Sequence, residues 1–226
     1  PGAGGVADWN PTASPGKLAS TFGNTSTTVP TPPAGFGSGN CIPLGGGGSW
    51  NSYWGQLWYS SSVVGAAGTI SGYKWFMYSG SSRAGLTMQG ITVVIGHAKG
   101  TSCPFATNNL RASHFTGTPV TCVNNVSWTI PSIPTGTPIP FPKFTGAFGY
   151  NGTSNLIVDL CKDSASFNTY WALASGNTNG ARAYGTPKNG TTAVGITLNY
   201  LYQCVIYFRT ETSMARSLWY QMDSPD

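Results

Sequence analysis

Charge is what this chain has least of. Among 226 residues there are 11 Lys and Arg and 6 Asp and Glu, so charged side chains make up 8 %, against roughly 25 % in an average soluble protein. Glutamate occurs once, at Glu211. The surface must therefore be covered by Ser, Thr, Asn, Gln and Gly, which hold water but repel other copies weakly. A chain that omits the repulsion that keeps monomers apart either tolerates self-association or uses it.

The shortage of acids also restricts catalysis. The carboxylate side chains are Asp8, Asp159, Asp163, Glu211, Asp223 and Asp226, and the histidines are His97 and His114. Glycoside hydrolysis usually needs two carboxyl groups flanking one bond, and only Asp159 and Asp163 are close in sequence. Four positions apart on a strand they would share a face at about 13 Å, too far for the usual pair. No nucleophile elbow, H-E-x-x-H, Walker loop or EF-hand loop is present. His97 follows Ile95-Gly96 and reads as a structural polar residue at a strand end. No catalytic residues are assigned, and the chain is not expected to be an enzyme.

Clustered cations are missing too. Lys17, Lys74, Arg83, Lys99, Arg111, Lys143, Lys162, Arg182, Lys188, Arg209 and Arg216 are spread almost evenly. Nucleic-acid binding needs cations gathered against phosphates, and membrane-surface binding needs them on an amphipathic helix, so neither is expected. With no apolar stretch of about 18 residues, no membrane span is expected either.

The five cysteines, Cys41, Cys103, Cys122, Cys161 and Cys204, form no C-x-x-C pair and have no histidine at ligand spacing. No metal site and no cofactor are expected. Disulfides fit better, as Cys103 with Cys122 and Cys161 with Cys204. Cys41 would then stay free or bond a neighbouring subunit, a buried free thiol being the alternative. The chain starts at Pro1 without a methionine, as the product of a cleaved secretory signal would, and disulfides would place it in an oxidising compartment.

Strand-forming residues are plentiful. Trp (8), Tyr (11) and Phe (10) are frequent, each burying about 150–250 Å², while good helix formers are scarce. The fold class is therefore all-β, a jelly-roll-like antiparallel β-sandwich with an extended N-terminal arm. Residues 1–48 are the arm, rich in Gly, Pro, Ser and Thr and ending in Gly45-Gly46-Gly47-Gly48. It should gain order by docking, on a neighbouring subunit or on its own body. Residues 49–209 are the sandwich and 210–226 a tail, in which Met214, Leu218 and Met222 stand at helical spacing.

Within the body, period-2 patterns recur. Tyr73, Trp75 and Met77 form one set, and Ile91, Val93 and Ile95 the next. Val126, Trp128 and Ile130 follow, and then Leu156, Val158 and Leu160. The longest set is Ile196, Leu198, Tyr200, Tyr202, Cys204, Ile206 and Phe208, expected to be one strand crossing a whole sheet. Gly-Thr-Pro at 117–119, 136–138 and 185–187, with Asn151-Gly152 and Asn189-Gly190, supplies turns. Roughly eight to ten strands result, at sandwich spacing.

Trp50, Tyr53, Trp54, Trp58 and Tyr59 form the densest aromatic block. On a strand Trp50, Trp54 and Trp58 share one face. Such a ladder suits stacking on sugar rings, anchoring the core or a subunit interface, and large aromatics are usually mostly buried. Asn24, Asn125, Asn151 and Asn189 head glycosylation acceptor triplets, matches that a chain rich in Asn, Ser and Thr also produces by chance.

Several stretches carry a resemblance. They are Leu57-Trp58-Tyr59-Ser60, Ala67-Gly68-Thr69-Ile70-Ser71-Gly72, Ile91 to His97, Thr118-Pro119-Val120 and Phe148 to Val158. Their succession resembles the jelly-roll modules of exported bacterial surface proteins of the adhesin type. About half of the chain is covered, by turns and strands without catalytic residues, and the acids that often accompany calcium in such modules are lacking. The architecture is also similar to subunits of extracellular filaments that insert a terminal strand into a neighbour's sheet. These resemblances imply an extracellular or cell-surface location. The expected function is a structural subunit of a filament or surface assembly, a homo-oligomer or polymer joined through its arm and sheet edges. The alternative is a secreted adhesin module that binds carbohydrate or another surface.

Overall fold

A chain rich in β-branched and aromatic residues and punctuated by Gly and Pro favours short paired strands over helices, and antiparallel strands make up the computed structural model. It describes residues 24–29, 38–40, 52–76, 85, 87–131, 138–164, 171–175 and 177–209, with 24–29, 38–40 and 171–175 described by backbone alone. The first strands are β1 (Asn24–Val29), β2 (Ser38–Asn40), β3 (Tyr53–Tyr59), β4 (Gly68–Phe76) and β5 (Thr87–Ala98). Next come β6 (Phe115–Thr129), β7 (Pro138–Pro140), β8 (Phe148–Tyr150), β9 (Leu156–Lys162) and β10 (Trp171–Ser175). The last are β11 (Gly180–Gly185), β12 (Gly195–Leu198), β13 (Tyr200–Tyr202) and β14 (Cys204–Arg209). Helix among the described residues is limited to one turn, α1 (Ser61–Val64), and 3-10 turns at Pro104–Ala106 and Arg111–His114.

The strands form an antiparallel β-sandwich. One sheet has six strands in the order β12-β11-β3-β9-β5-β6. The opposing sheet runs β1-β14-β4-β7, with β8 also paired to β4, and a small sheet is ordered β13-β10-β2. The main core fills the space between the first two. It takes Leu57, Ile91, Val93, Ile95, Val158 and Leu160 from the six-stranded sheet and Ile70, Tyr73, Trp75, Ile206 and Phe208 from the other. The alternation at 73–75, 91–95 and 156–160 thus marks the inward face, as its period predicts.

The six-stranded sheet is buried on its outer face as well. Every residue of β3 and of β9 is buried, and a second cluster of Trp54, Trp58, Ile157, Cys161, Ala181 and Ala183 packs there under Phe105. The cover is the segment after β5, and it makes this part of the molecule three layers thick.

Two stretches of the expected arm belong to this body. β1 pairs antiparallel with β14, from Asn24 opposite Arg209 to Val29 opposite Cys204, and β2 pairs with β10. The rest of the arm, with Cys41, lies outside the described residues, as do Trp50, Met77, the tail 210–226 and most of the 136–138 turn.

The run from Ile196 to Phe208 is not one strand. It divides into β12, β13 and β14, which serve three different sheets. The first break is at Asn199, whose φ of 62° is left-handed, a conformation that Asn tolerates better than most residues. After this bend the alternation points into the core, with Tyr202, Cys204, Ile206 and Phe208 buried, whereas Ile196 and Leu198 before it are exposed.

The expected disulfides are not formed. Cys103, Cys122, Cys161 and Cys204 are free thiols, and each expected pair is split across the six-stranded sheet. Cys122 and Cys204 sit in the core between the sheets, whereas Cys161 and Cys103 belong to the cluster on the outer face. Burial pushes the Cys103 thiol up to about 11 and those of Cys122 and Cys204 up to about 12, so all three stay protonated and unreactive at neutral pH. Cys204 packs by a buried pair of tyrosines, Tyr59 and Tyr73, whose hydroxyls lie 2.5 Å apart.

The bend at Asn199 is testable. Asn199→Val places a β-branched residue in the left-handed region and should lower unfolding free energy by about 1–2 kcal/mol, while Asn199→Gly should leave it within a few tenths. Urea denaturation of both variants checks this, and equal stability of the two would remove the bend from the account.

Candidate functional site

The outer face of the six-stranded sheet carries a polar network where an apolar stripe would be simpler. Alternation along β3 puts Gln56 on the same side as Trp54 and Trp58, and alternation along β9 puts Asp159 between Ile157 and Cys161. Gln56 and Asp159 face each other across the β3–β9 ladder. Gln56 Nε2 donates to Asp159 Oδ2 at 2.8 Å and to the Arg111 carbonyl at 3.1 Å.

Arg111 arrives from the covering segment. Its Nε donates to Asp159 Oδ2 at 2.7 Å and its Nη2 to Asp159 Oδ1 at 2.5 Å, a two-pronged pair in which Asp159 is almost wholly buried. The third prong, Nη1, donates to the Lys188 carbonyl at 2.6 Å. The guanidinium also lies over the Trp54 ring, 4.9 Å from its centre. Burial works against the Arg111 charge, but the bonds and the field of Asp159 outweigh it and raise its pKa.

His114, fully buried, closes the network. Nδ1 lies 2.5 Å from Gln56 Oε1 and Nε2 lies 2.9 Å from the Asn108 carbonyl. Since Gln56 Nε2 donates elsewhere, both partners of the ring are acceptors, and a neutral imidazole has a proton for only one. Burial nevertheless lowers the His114 pKa, opposed in part by the Asn108 carbonyl and by Asp159.

The covering segment is fastened to a second loop. Arg111 N donates to the Thr191 carbonyl and Ala193 N to the Asn109 carbonyl, both at 2.8 Å, on either side of the Leu110–Thr192 bridge. Lys188 Nζ makes the other ion pair among the described residues, to Asp163 Oδ2 at 2.6 Å. Asp159 and Asp163 are therefore held by different cations. Among the described residues these two are the only acids, and each is engaged by its own cation.

Beside the network is a cavity of about 370 Å³, lined by Arg111, Phe115, Pro119, Asp159, Asn189 and Thr191 among others. Phe115 lies close against the sheet because β5 carries Gly96 beneath it, where a Cβ would stand 2.6 Å from the ring. His97, on the inward face of the same strand, accepts from the Asn151 amide at 3.3 Å and packs on Phe148 and Tyr150. That is the structural role its place in the sequence suggests.

The aromatic ladder resolves differently from a sugar platform. Trp54 is 0 % and Trp58 6 % exposed, so both rings anchor the outer cluster and neither can stack on a ligand. Asn151 and Asn189 are exposed at turns, Asn125 is exposed within β6 at a left-handed φ of 50°, and the backbone alone is described for Asn24. Arg111, Gln56 and Phe115 were not singled out by sequence reasoning. The available signal was scarcity, because in a chain with so few ions each arginine and aspartate invites a reason. Comparison with family models, curated proteins and solved structures finds no match for this chain.

Asp159→Asn leaves the buried guanidinium without its counter-ion and should cost about 3 kcal/mol or more of stability, read by urea denaturation; a change below about 1 kcal/mol would mean the pair is not what holds the cover. Stability should also depend on acidity through His114. Its folded pKa is lowered, so below the unfolded value of about 6.5 the unfolded chain binds the proton that the folded chain refuses. Stability present at neutral pH should thus fall as pH drops through 6.5 toward the folded pKa. A urea midpoint that rises between pH 7 and 5.5 contradicts this.

Proposed function

We propose that the protein is a structural subunit of an extracellular filament or surface layer, joining its copies through the open edge of the six-stranded sheet. The observation that carries this reading is strand β12. It is the last strand of that sheet and, among the described residues, pairs only with β11. Ile196 (38 % exposed) and Leu198 (42 %) alternate along it, with Val194 (63 %) just before it and Leu110 (50 %) on the segment bridged to Thr192. Not one charged residue occurs between Lys188 and Arg209, or between Lys99 and Arg111.

Sheet edges usually carry a device against unwanted pairing: proline, charge, bulges or strong twist. Such devices stand on two other edges. β7 holds Pro138 and Pro140, which have no N–H to offer, and β6 meets β5 through repeated register shifts. β12 has no proline and no charge, and a second copy of the same neutral edge suits it best because nothing there repels its twin. Two β12 strands paired antiparallel about a two-fold axis would join two six-stranded sheets into one. A second contact would be needed for a fibre to grow. The arm's two described strands are engaged with their own body, so the edge is put forward as the joint. The surface location rests on the charge-poor composition and on the resemblance to adhesin-type modules, without support from disulfides.

Sedimentation velocity over a concentration series tests the proposal. The wild-type chain should show a concentration-dependent rise in weight-average mass, and Ile196→Lys should sediment as a monomer with an unchanged circular dichroism spectrum. A wild-type chain that stays monomeric at the highest concentration, or a variant that associates equally well, would sink it.

A further inference from the structure

The geometry points to a second, independent property: the cavity beside Arg111 and Asp159 is a binding site for a neutral saccharide ring. Its floor is an ion pair of zero net charge. A carboxylate or phosphate ligand would approach Asp159, and an amine would approach Arg111. In a partly buried site each like charge is costly, so the floor selects a neutral ligand.

Hydrogen-bonding capacity narrows the class. A guanidinium has five N–H donors, and three of them bind the two Asp159 oxygens and the Lys188 carbonyl. Asp159 Oδ2 already accepts from both Gln56 and Arg111, whereas among the described residues Oδ1 accepts from Arg111 alone. With Cys161 also within hydrogen-bond reach of the guanidinium, one N–H donor and one acceptor keep spare capacity side by side. A hydroxyl group both accepts and donates, and neighbouring hydroxyls on one ring match such a pair better than a lone carbonyl or amide would. Asn189 and Thr191 add neutral polar groups at the exposed rim.

The remaining wall is apolar. Phe115, held against Gly96, and Pro119 offer a surface for the C–H face of a sugar ring, the role that the buried Trp54 and Trp58 cannot fill. The volume of about 370 Å³ lies at the lower end of ligand pockets, which suits one or two rings.

The test uses the intact chain, with methyl glycosides of neutral hexoses and the matching neutral trisaccharides as probes and glucuronate and glucosamine as charged controls. Amide chemical shifts read binding. At least one neutral probe should give saturable shifts confined to residues 111–119 and 189–191, with a Kd of about 1 mM or tighter. Binding by a single ring assigns a terminal-ring site, and binding by trisaccharides alone assigns a chain site; both support the inference. Ala112→Trp, an exposed substitution at the cavity that spares the network, should weaken binding by about tenfold or more, and Asn189→Ala should weaken it less. The inference is overturned if no neutral probe shifts these amides, if the charged sugars bind as well as neutral ones, or if Ala112→Trp leaves binding unchanged. Failure here leaves self-association untouched, because Ile196 and Leu198 do not line the cavity.

Discussion

The Arg111–Asp159 pair holds the third layer of this molecule on its sheet. An irregular segment laid over a sheet brings backbone groups that must be satisfied and offers little apolar area in return. Here Phe105 and part of Phe115 supply the apolar contact, and the guanidinium supplies the attachment by bridging Asp159 on β9 to the Lys188 carbonyl. Gln56 and His114 then connect β3, β9 and the covering segment through one set of bonds. A buried ion pair of this kind often adds little stability over a well-packed apolar substitute. What it adds here is position, because a two-pronged arginine fits one geometry where apolar side chains would allow several.

Scarce charge makes the use of each ion visible. Arg182 is buried, with Tyr202 and Thr197 as hydrogen-bond partners and the rings of Tyr184 and Tyr200 about its guanidinium. Lys162 is fully buried with its amine over the Tyr53 ring. Lys188 is paired and partly covered. Several of the chain's few cations are thus drawn inward, and the formal charge of +5 overstates what the surface presents to another molecule.

The sheets were legible because alternation is a direct consequence of strand geometry. Tyr73 and Trp75, Ile91 to Ile95 and Leu156 to Leu160 could hardly be paired otherwise. The outer layer was much harder to see. Period 2 reports one buried face, and strands buried on both faces, such as β3 and β9, read as nearly continuous apolar runs, broken here by Gln56 and Asp159 and ended by Lys162. The thiols misled for a related reason, since sequence spacing does not say which side of a sheet a cysteine faces. In the 196–208 run the pattern is continuous although the chain changes sheets twice, and the first change falls at a left-handed residue, Asn199, whose conformation Asn permits without announcing. Of the site, Asp159 was visible as one of few acids. Its partner Arg111 was not, because 48 positions separate them and only the fold closes that distance.

Placement of the bare edge follows from the same layering. The cover meets β12 and β11 through the Pro104–Ala106 turn and is bridged at Leu110 to Thr192, just ahead of β12, yet Ile196 and Leu198 stay exposed. Ile196 and Leu198 stand opposite Ala183 and Ala181, residues whose small size lets the buried cluster thin toward the rim. In the proposed joint a second copy's β12 would lie beside them in the plane of the sheet and set its own Ile196 and Leu198 against these side chains. Long-range repulsion would normally resist such an approach between like-charged bodies, but around this edge there is little charge to resist with. Composition and topology therefore act at the same place: the last strand of the sheet carries no proline and no charged residue of its own.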